Sequence, residues 1–247
     1  MRKLVIIPTY NERENVARMI DAVFSLDGDY DLLFVDDGSP DGTADIIRTE
    51  QQHWGERLSL ICREGKLGLG TAYIAGFRWA LAHNYDFIFE MDCDFSHNPE
   101  DLARLYEATR YGADVVVGSR YVSGVNVVDW PLGRLIMSYC ASRYVKLLTG
   151  MPVKDATAGF VCYSRRVLES IDLDRIKMKG YGFQIEMKYT AWRLGYRIQE
   201  VSIIFRDRTE GTSKMSSGIF GEAFWGVLGL RFRRIKGIQN SKFKIQN

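Results

Sequence analysis

The chain has 247 residues, of which 46% are hydrophobic and 26% are charged, and its formal net charge is +2. This length suits one large α/β domain or two small ones, and the near-neutral balance gives no indication of a nucleic-acid partner. The four cysteines are scattered without a CxxC pair, so no zinc site is predicted. No stretch approaches the roughly 18 apolar residues of a transmembrane helix, and the first apolar run is too short for a signal peptide.

Strand-like and helix-like segments alternate through the first half of the chain. Apolar runs predict strands at 3–10, 30–39, 57–64, 85–92 and 113–121. Apolar residues at helical spacing and cap-type residues predict helices at 14–26, 39–53, 68–83 and 99–112. The alternation predicts an α/β fold with a mainly parallel, Rossmann-like sheet that has helices on both faces.

The pattern is looser in the second half. Further helices are predicted at 133–150, 183–195 and 219–237, strands at 158–164 and 197–205, and a polar loop at 206–218. The final helix has two interpretations. Phe220, Phe224, Val227 and Leu228 would pack as core, whereas Trp225, Phe232 and a run of six basic residues without an acid favour an anionic lipid surface or a small membrane partner.

Polar residues gather where the predicted strands end. In open parallel sheets, ligands bind at the carboxyl ends of the strands. The residues at these ends are Pro8, Thr9, Tyr10, Asn11 and Glu12 for the first strand, Asp36, Asp37 and Gly38 for the second, Asp92 and Asp94 for the fourth, and Gly118, Ser119 and Arg120 for the fifth. Their convergence predicts a ligand site at this edge of the sheet.

The stretch VDDGSPDGT has both a structural and a functional interpretation. Asp, Gly, Ser and Pro are turn formers, so the stretch could be a turn that leads into a helix cap. An acid at a strand end also accepts hydrogen bonds from a base or a ribose. The GxGxxG phosphate fingerprint is absent after the first strand, which disfavours a nicotinamide enzyme.

Asp92 and Asp94, in the stretch FIFEMDCDFSHNP, form a DxD pair directly after a strand. Carboxylate oxygens suit Mg²⁺ or Mn²⁺, and Mg²⁺ typically takes one or two carboxylates together with substrate phosphates. His97 follows closely, but a lone histidine after a turn is more often a local hydrogen-bonding residue than a ligand. The pair therefore indicates a metal that carries a phosphorylated substrate.

Six stretches together resemble the family 2 glycosyltransferases, and most of all the dolichol-phosphate (polyprenyl-phosphate) mannosyltransferase subgroup. They are, in chain order, IIPTYNERENV, VDDGSPDGT, GLGTAYIAGF, MDCDFSHNPEDL, GSRY and DATAGF. The resemblance extends from about Leu4 to the final helix, and SHNP and RTEGTSK narrow it to the subgroup. Ala158 and Ser96 depart from it, since relatives often have serine and some have glutamine at these positions.

The resemblance implies a GT-A fold and a set of site residues. The nucleoside would be held by Pro8, Tyr10, Glu12, Val35, Asp36 and Asp37. The metal would be held by Asp92, Asp94 and Ser96, and the lipid phosphate by Arg120, Arg134 and Ser138. Arg208 and Lys214, on the polar loop, would close over the donor diphosphate, so that Asp92, Asp94, Arg120, Arg208 and Lys214 form the catalytic set.

The same resemblance implies how the chain is organised and where it works. A single GT-A domain would span 1–236, with a nucleotide-sugar half at 1–118, an acceptor half at 119–217, an amphipathic helix at 218–236, and a basic tail at 237–247. Longer relatives carry transmembrane helices after this domain, whereas this sequence shows none and so resembles the soluble catalytic subunit type. We therefore expect a cytoplasmic protein that is peripheral on the cytoplasmic face of a membrane, held there by the lipid surface or by a small membrane subunit.

The implied reaction is inverting transfer of mannose from GDP-mannose to a polyprenyl (dolichyl) phosphate, with Mg²⁺ or Mn²⁺. A phosphate acceptor is already a nucleophile and needs no general base. The protein must instead hold two negatively charged, phosphorylated substrates near each other. Arginine, lysine and a bound metal suit this purpose, and the chain has the basic residues for it. We therefore expect Glu186, at the place where other family 2 enzymes keep a base, to be a positioning residue, and Asp155 to orient its loop.

The sequence leaves three alternatives to this reaction. A UDP-sugar such as UDP-glucose could replace GDP-mannose, because no sequence rule separates guanine from uracil recognition here. A nucleotide-binding regulatory subunit without turnover is disfavoured by the intact DxD and basic residues. Transfer to a hydroxyl of a polysaccharide or a protein would require Glu186 or Asp155 as a base.

Overall fold

The computed structural model describes residues 1–207, 218–233, 235 and 237, and for 218–223 it describes the backbone alone. The first half alternates strands and helices as predicted. The elements are β1 (Lys3–Thr9), α1 (Val16–Phe24), β2 (Tyr30–Asp36), α2 (Thr43–Trp54), β3 (Leu58–Cys62), α3 (Leu69–Ala82), β4 (Phe87–Glu90), α4 (Asp101–Arg110) and β5 (Val115–Ser119). The predicted segments match these elements to within a few residues at each end.

The second half contains two short strands and a short helix that the pattern did not predict. Its elements are β6 (Val127–Val128), α5 (Leu132–Thr149), β7 (Val161–Ser164), α6 (Arg165–Ser170), α7 (Gly180–Arg193), β8 (Ile198–Ser202), β9 (Phe205–Arg206) and α8 (Gly218–Phe232). Three-residue 3₁₀ turns lie at Gly55–Arg57 and Leu173–Arg175. Strands of two residues are too short to show a periodicity of two.

Seven strands form one sheet in the order β3-β2-β1-β4-β7-β5-β8. All neighbours are parallel except β7, which lies antiparallel between β4 and β5. The mainly parallel sheet is therefore confirmed, but β4 and β5 are not adjacent. The antiparallel insertion brings the start of β7, with the loop before it, beside the carboxyl ends of β4 and β5.

Two hydrophobic layers cover the two faces of the sheet. On β1, Leu4 and Ile6 face one layer, while Val5 and Ile7 face the other, as the alternation of strand side chains requires. Helices α3, α6 and α7 complete the first layer, and α1, α2 and α4 complete the second. The second layer buries α1 through Val16, Met19, Ile20 and Val23, the positions that the helical spacing had predicted.

A third cluster joins α5, α7 and α8, and Val227 and Leu230 of α8 are buried in it. Phe224, which the core interpretation would bury, is 48% exposed and stacks on Tyr144. Trp225 and Phe232 are more exposed still, as the lipid-surface interpretation expects. The side chain of Phe220 lies outside the described residues. Of the helices in the described ranges, none has both the length and the hydropathy of a membrane-spanning segment.

Candidate active site

A cleft opens at the carboxyl ends of the central strands. Its walls come from the segments after β4 and β5, the loop before β7, the first turns of α3 and α7, and β9. The lining residues that carry polar side chains are Tyr73, Asp92, Asp94, Ser96, His97, Arg120, Trp130, Arg134, Thr157, Tyr181, Gln184 and Asp207. Both the predicted metal residues and the two predicted acceptor arginines therefore share one cleft.

Asp92, Asp94 and Ser96 form the floor of the cleft. Phe95 has a positive φ of 59°, which turns the chain so that the Ser96 N–H donates to Asp94 Oδ1 at 3.1 Å. The Ser96 hydroxyl is buried and, within the described residues, has no hydrogen-bond partner. A hard divalent cation suits this set of oxygens. No group of three or more His, Cys, Asp and Glu side chains in the described ranges is arranged for a metal.

His97 is a local hydrogen-bonding residue, as predicted. Its Nδ1 accepts a hydrogen bond from the Asp92 N–H at 3.2 Å, and its ring stacks on Phe160 at 5.0 Å. Burial lowers the pKa of His97 to about 4, so the ring is neutral near pH 7. The histidine thereby supports the backbone that presents Asp92.

Arg120 is held in a buried clamp that the sequence did not reveal. Asp155 accepts from Arg120 Nε at 2.7 Å and from one terminal nitrogen at 2.6 Å, and Thr157 accepts from that nitrogen at 2.8 Å. Burial opposes the charge of Arg120, but the Asp155 carboxylate keeps its pKa above the usual value. Asp155 was expected to orient its loop, and the structure shows that it orients this arginine.

Arg134 lies across the cleft mouth on the first turn of α5. It donates to Asp207 at 2.8 Å, and its guanidinium lies 4.2 Å from the ring centre of Trp130. Ser138, one turn further along α5, is hydrogen-bonded to the Tyr121 hydroxyl at 2.8 Å and does not line the cleft. The structure therefore brings together two of the three predicted acceptor residues.

The predicted nucleotide residues lie beside the cleft, at the ends of the paired strands β1 and β2. Asp36 is buried, and its carboxylate accepts hydrogen bonds from Thr9 Oγ1 at 2.9 Å and from the N–H and the hydroxyl of Ser39. Asp37 pairs with Arg63, which also donates to the first turn of α3. The side chains at this edge therefore shape the turn, which is the structural interpretation of VDDGSPDGT.

Other predicted nucleotide residues follow the same edge. Pro8 and Val35 are register partners in β1 and β2, so both belong to the sheet itself. The Glu12 carboxylate accepts a hydrogen bond from Asn15, and the Tyr10 ring lies 4.9 Å from the Lys66 ammonium. Tyr10 thus presents an aromatic ring next to a cation, which is chemistry that a nucleotide can use.

Glu186 is fully buried and does not line the cleft. Its carboxylate accepts hydrogen bonds from the N–H groups of Lys177 and Met178 and from the Arg233 side chain. These contacts fix the segment before α7 and the end of α8. They support the positioning role that we expected for Glu186.

Sequence reasoning missed a buried charged pair beneath the DxD. Glu90 ends β4 on the first hydrophobic layer, fully buried, and its carboxylate has no hydrogen-bond partner among the described residues. Lys188 of α7 is also fully buried and donates to the Ala158 carbonyl at 2.6 Å. Burial raises the pKa of Glu90 to about 8 and lowers that of Lys188 to about 8. A glutamate within the apolar run FIFEM was the available signal.

Arg208 and Lys214, predicted to close over the donor, lie outside the described residues.

Comparison with known proteins identifies the family. The model of glycosyl transferase family 2 matches residues 4–172. A polyprenol monophosphomannose synthase of Mycolicibacterium smegmatis is 44% identical over 242 residues, covering 96% of this chain and 91% of the relative. An undecaprenyl-phosphate mannosyltransferase of Micrococcus luteus is 47% identical over 242 residues, covering 94% of this chain and 99% of the relative.

Solved structures confirm the GT-A fold. The glucosyl-3-phosphoglycerate synthase of Mycobacterium tuberculosis in complex with phosphoglyceric acid superposes with a TM-score of 0.68 at 20% identity, covering 94% of this chain and 80% of that one. The same enzyme with Mn²⁺, uridine diphosphate and glucosyl-3-phosphoglycerate gives a TM-score of 0.63 at 21% identity, covering 93% and 78%. At this identity the likeness concerns the fold alone.

Proposed function

The chain belongs to glycosyl transferase family 2, and from that premise we propose that it transfers mannose from GDP-mannose to a polyprenyl phosphate with the help of Mg²⁺ or Mn²⁺. Two relatives at 44% and 47% identity, named for polyprenol monophosphomannose synthesis and for mannosyl transfer to undecaprenyl phosphate, support the sugar and the acceptor. The assignment of guanine as the base of the donor rests on the resemblance of the sequence motifs.

The observation that carries the proposal is the distribution of charge around the cleft. Arg120 and Arg134 line it together with Asp92 and Asp94, so cations for one phosphate and carboxylates for a metal diphosphate share the space. The two carboxylates that would act as a base on a hydroxyl acceptor, Asp155 and Glu186, do not line it. Because both are hydrogen-bonded within the protein, the arrangement favours an acceptor that is already an anion.

The reaction needs one bond to form and one to break. An oxygen of the acceptor phosphate bonds to the anomeric carbon from the face opposite the diphosphate, and the bond from that carbon to the diphosphate oxygen breaks. The nucleoside diphosphate leaves with the electron pair of that bond. Because the attack comes from the opposite face, the configuration at the anomeric carbon is inverted. The acceptor phosphate carries about −1.5 to −2 charges near neutral pH, so no proton has to be removed.

The protein's part is binding and orientation. Arg120 and Arg134 would hold the acceptor phosphate, and the Asp155 clamp aims Arg120 before the substrate arrives. Asp92 and Asp94, with Ser96, would hold a divalent ion, which supplies positive charge to the leaving diphosphate. We assign the nucleoside to Pro8, Tyr10, Glu12, Val35, Asp36 and Asp37, and the closing contacts over the diphosphate to Arg208 and Lys214.

We also propose that the protein works as a peripheral protein at the cytoplasmic face of a membrane, because its acceptor is a lipid. Exposed apolar side chains on α5 and α8 support this, namely Leu132, Ile136, Met137, Leu147, Phe224, Trp225 and Phe232. Co-sedimentation with vesicles of anionic and of neutral lipid tests it, with Trp225→Ser/Phe232→Ser as the matched variant. Equal sedimentation of both proteins would remove α8 from the lipid contact and leave the exposed apolar residues of α5 as the contact.

The central test measures transfer of radiolabelled sugar to a short polyprenyl phosphate. GDP-mannose, UDP-glucose and UDP-N-acetylglucosamine are compared in parallel, each with and without EDTA. We expect transfer from GDP-mannose alone and its loss with EDTA. Transfer from a UDP-sugar would contradict the donor assignment and keep the mechanism, whereas no transfer from any donor would contradict the acceptor assignment.

A further inference from the structure

Trp130 enters the cleft from a segment whose backbone is held in place. The preceding strand β6 pairs with β9, and the Asp207 N–H donates to the Val128 carbonyl at 3.1 Å. Asp129 then adopts a φ of +62°, a left-handed conformation that non-glycine residues rarely take. Strain of this kind gathers at functional sites, where the surrounding structure maintains it. The position of the Trp130 ring is therefore set by the backbone before it.

The ring lies near both cleft arginines. The Arg134 guanidinium is 4.2 Å from the ring centre, and that of Arg120 is 5.3 Å away. Phe205 of β9 meets the ring edge-on at 5.2 Å. A group that binds to both guanidinium ions therefore lies near the indole.

The indole nitrogen has no partner of its own. Trp130 Nε1 is inaccessible to solvent and makes no hydrogen bond to any residue in the described ranges. An indole N–H is a donor without acceptor capacity, and a buried one normally finds an acceptor. Trp130 lines a cleft that also holds two positive charges, so an oxygen of an anionic ligand can satisfy this nitrogen once the ring turns toward the cleft.

We propose that the Trp130 N–H donates a hydrogen bond to a non-attacking oxygen of the acceptor's phosphate monoester, which makes Trp130 a third acceptor-binding residue beside Arg120 and Arg134. The inference rests on the proposed function, since it takes the phosphate to be that of the acceptor lipid. The two guanidinium ions attract the phosphate, and the hydrogen bond from the N–H fixes its orientation. A phosphate held at three points presents its remaining oxygen to the anomeric carbon in a defined orientation.

The test removes the N–H and keeps an aromatic ring at this position. Trp130→Phe removes the donor, and Trp54→Phe is the matched control, since Trp54 also has a buried Nε1 without a partner in the described residues but packs on Phe24 away from the cleft. We expect Trp130→Phe to raise KM for a short polyprenyl phosphate about tenfold, the cost of one hydrogen bond to a charged group. KM for the sugar nucleotide and kcat should change less than about twofold.

Titration calorimetry with the polyprenyl phosphate alone gives a second readout that needs no turnover. The affinity of Trp130→Phe should fall by the same factor, and that of Trp54→Phe should match the parent chain. An unchanged acceptor affinity in a folded Trp130→Phe variant would overturn the inference, and so would a rise in KM for the sugar nucleotide alone. If the parent chain itself neither binds nor glycosylates a polyprenyl phosphate, the proposed function fails first, and this outcome is distinct from a loss confined to the variant.

Discussion

A pair of aspartates lies at the carboxyl end of β2 and another follows the end of β4, but the two pairs have different surroundings. Asp36 and Asp37 are buried, and their carboxylates accept hydrogen bonds from neighbouring hydroxyl groups, a backbone N–H and Arg63. Asp92 and Asp94 line the open cleft. The first pair builds the turn that it belongs to, whereas the second pair faces the space where a ligand can bind.

Some of the buried polar groups that lack a partner in the described residues belong to residues of the cleft. Ser96 Oγ and Trp130 Nε1 line the cleft, are buried, and have no hydrogen-bond partner in the part of the chain that the structure describes. Buried polar atoms are normally satisfied, so those that line a cleft point to a ligand. The comparison predicts that substitution of Asp36 reduces stability even without a ligand, beyond any loss of nucleotide binding, whereas substitution of Asp94 mainly reduces turnover.

Asp94→Asn should show the largest effect on turnover. Losing one carboxylate from the metal pair should lower the transfer rate about a hundredfold or more, because the leaving diphosphate would lose most of its counter-charge. The midpoint of thermal unfolding should stay within a few degrees. Mn²⁺ binding, followed by electron paramagnetic resonance, should weaken in parallel. Asp45→Asn, at an exposed position on α2, is the control, and a full transfer rate in Asp94→Asn would break the comparison.

Asp155→Asn should show the largest effect on stability. It leaves Arg120 as a buried cation without its clamp, which costs about 3–5 kcal/mol. Asp207→Asn, which weakens the half-buried pair with Arg134, should cost under about 1 kcal/mol. Urea denaturation measures both. Equal losses of unfolding free energy in the two variants would mean that the buried Arg120–Asp155 pair stabilises the protein no more than the half-buried Arg134–Asp207 pair.

Asp36→Ala should destabilise the β2 end by about 1–3 kcal/mol, because the hydroxyls of Thr9 and Ser39 would lose their shared acceptor. Differential scanning calorimetry without any ligand measures this loss. Asp21→Ala on the exposed side of α1 serves as the control. A variant as stable as the parent chain would contradict the structural role of Asp36.

The last effect concerns Glu90 and depends on pH. Because burial raises its pKa to about 8, the folded chain keeps this proton between about pH 4.5 and 8, while the unfolded chain releases it. The stability of the parent chain relative to Glu90→Gln should therefore be greatest below pH 4.5 and fall as the pH rises to about 8. Lys188 is common to both proteins, and its pKa of about 8 affects stability above that pH.

Denaturation curves for the parent chain and Glu90→Gln at several pH values measure this difference. Glu107→Gln, at a half-exposed carboxylate paired with Arg110, is the matched control for a glutamate-to-glutamine change on the surface. A pH-independent difference for Glu90→Gln would show that Glu90 is ionised in the folded chain and is balanced by Lys188.

Sequence alone determined the features that depend on neighbours along the chain. Apolar runs and helical spacing gave the strands β1 to β5 and the helices between them, because burial on a sheet face or a helix face imposes a period of about 2 or 3.6 residues. Parallel strands place their carboxyl ends at one edge, so Asp92 and Arg120 could be expected to meet there. The motifs added the family and its metal pair.

Tertiary structure decided the features that depend on contacts between distant segments. The antiparallel insertion of β7, the Arg120–Asp155 clamp and the burial of Glu90 with Lys188 join residues that lie 35 or more positions apart. No local pattern encodes such a partner, because a side chain's environment is set by the elements that pack on it. For the same reason the exposure of Phe224 and the unpartnered nitrogen of Trp130 became visible in the folded chain alone.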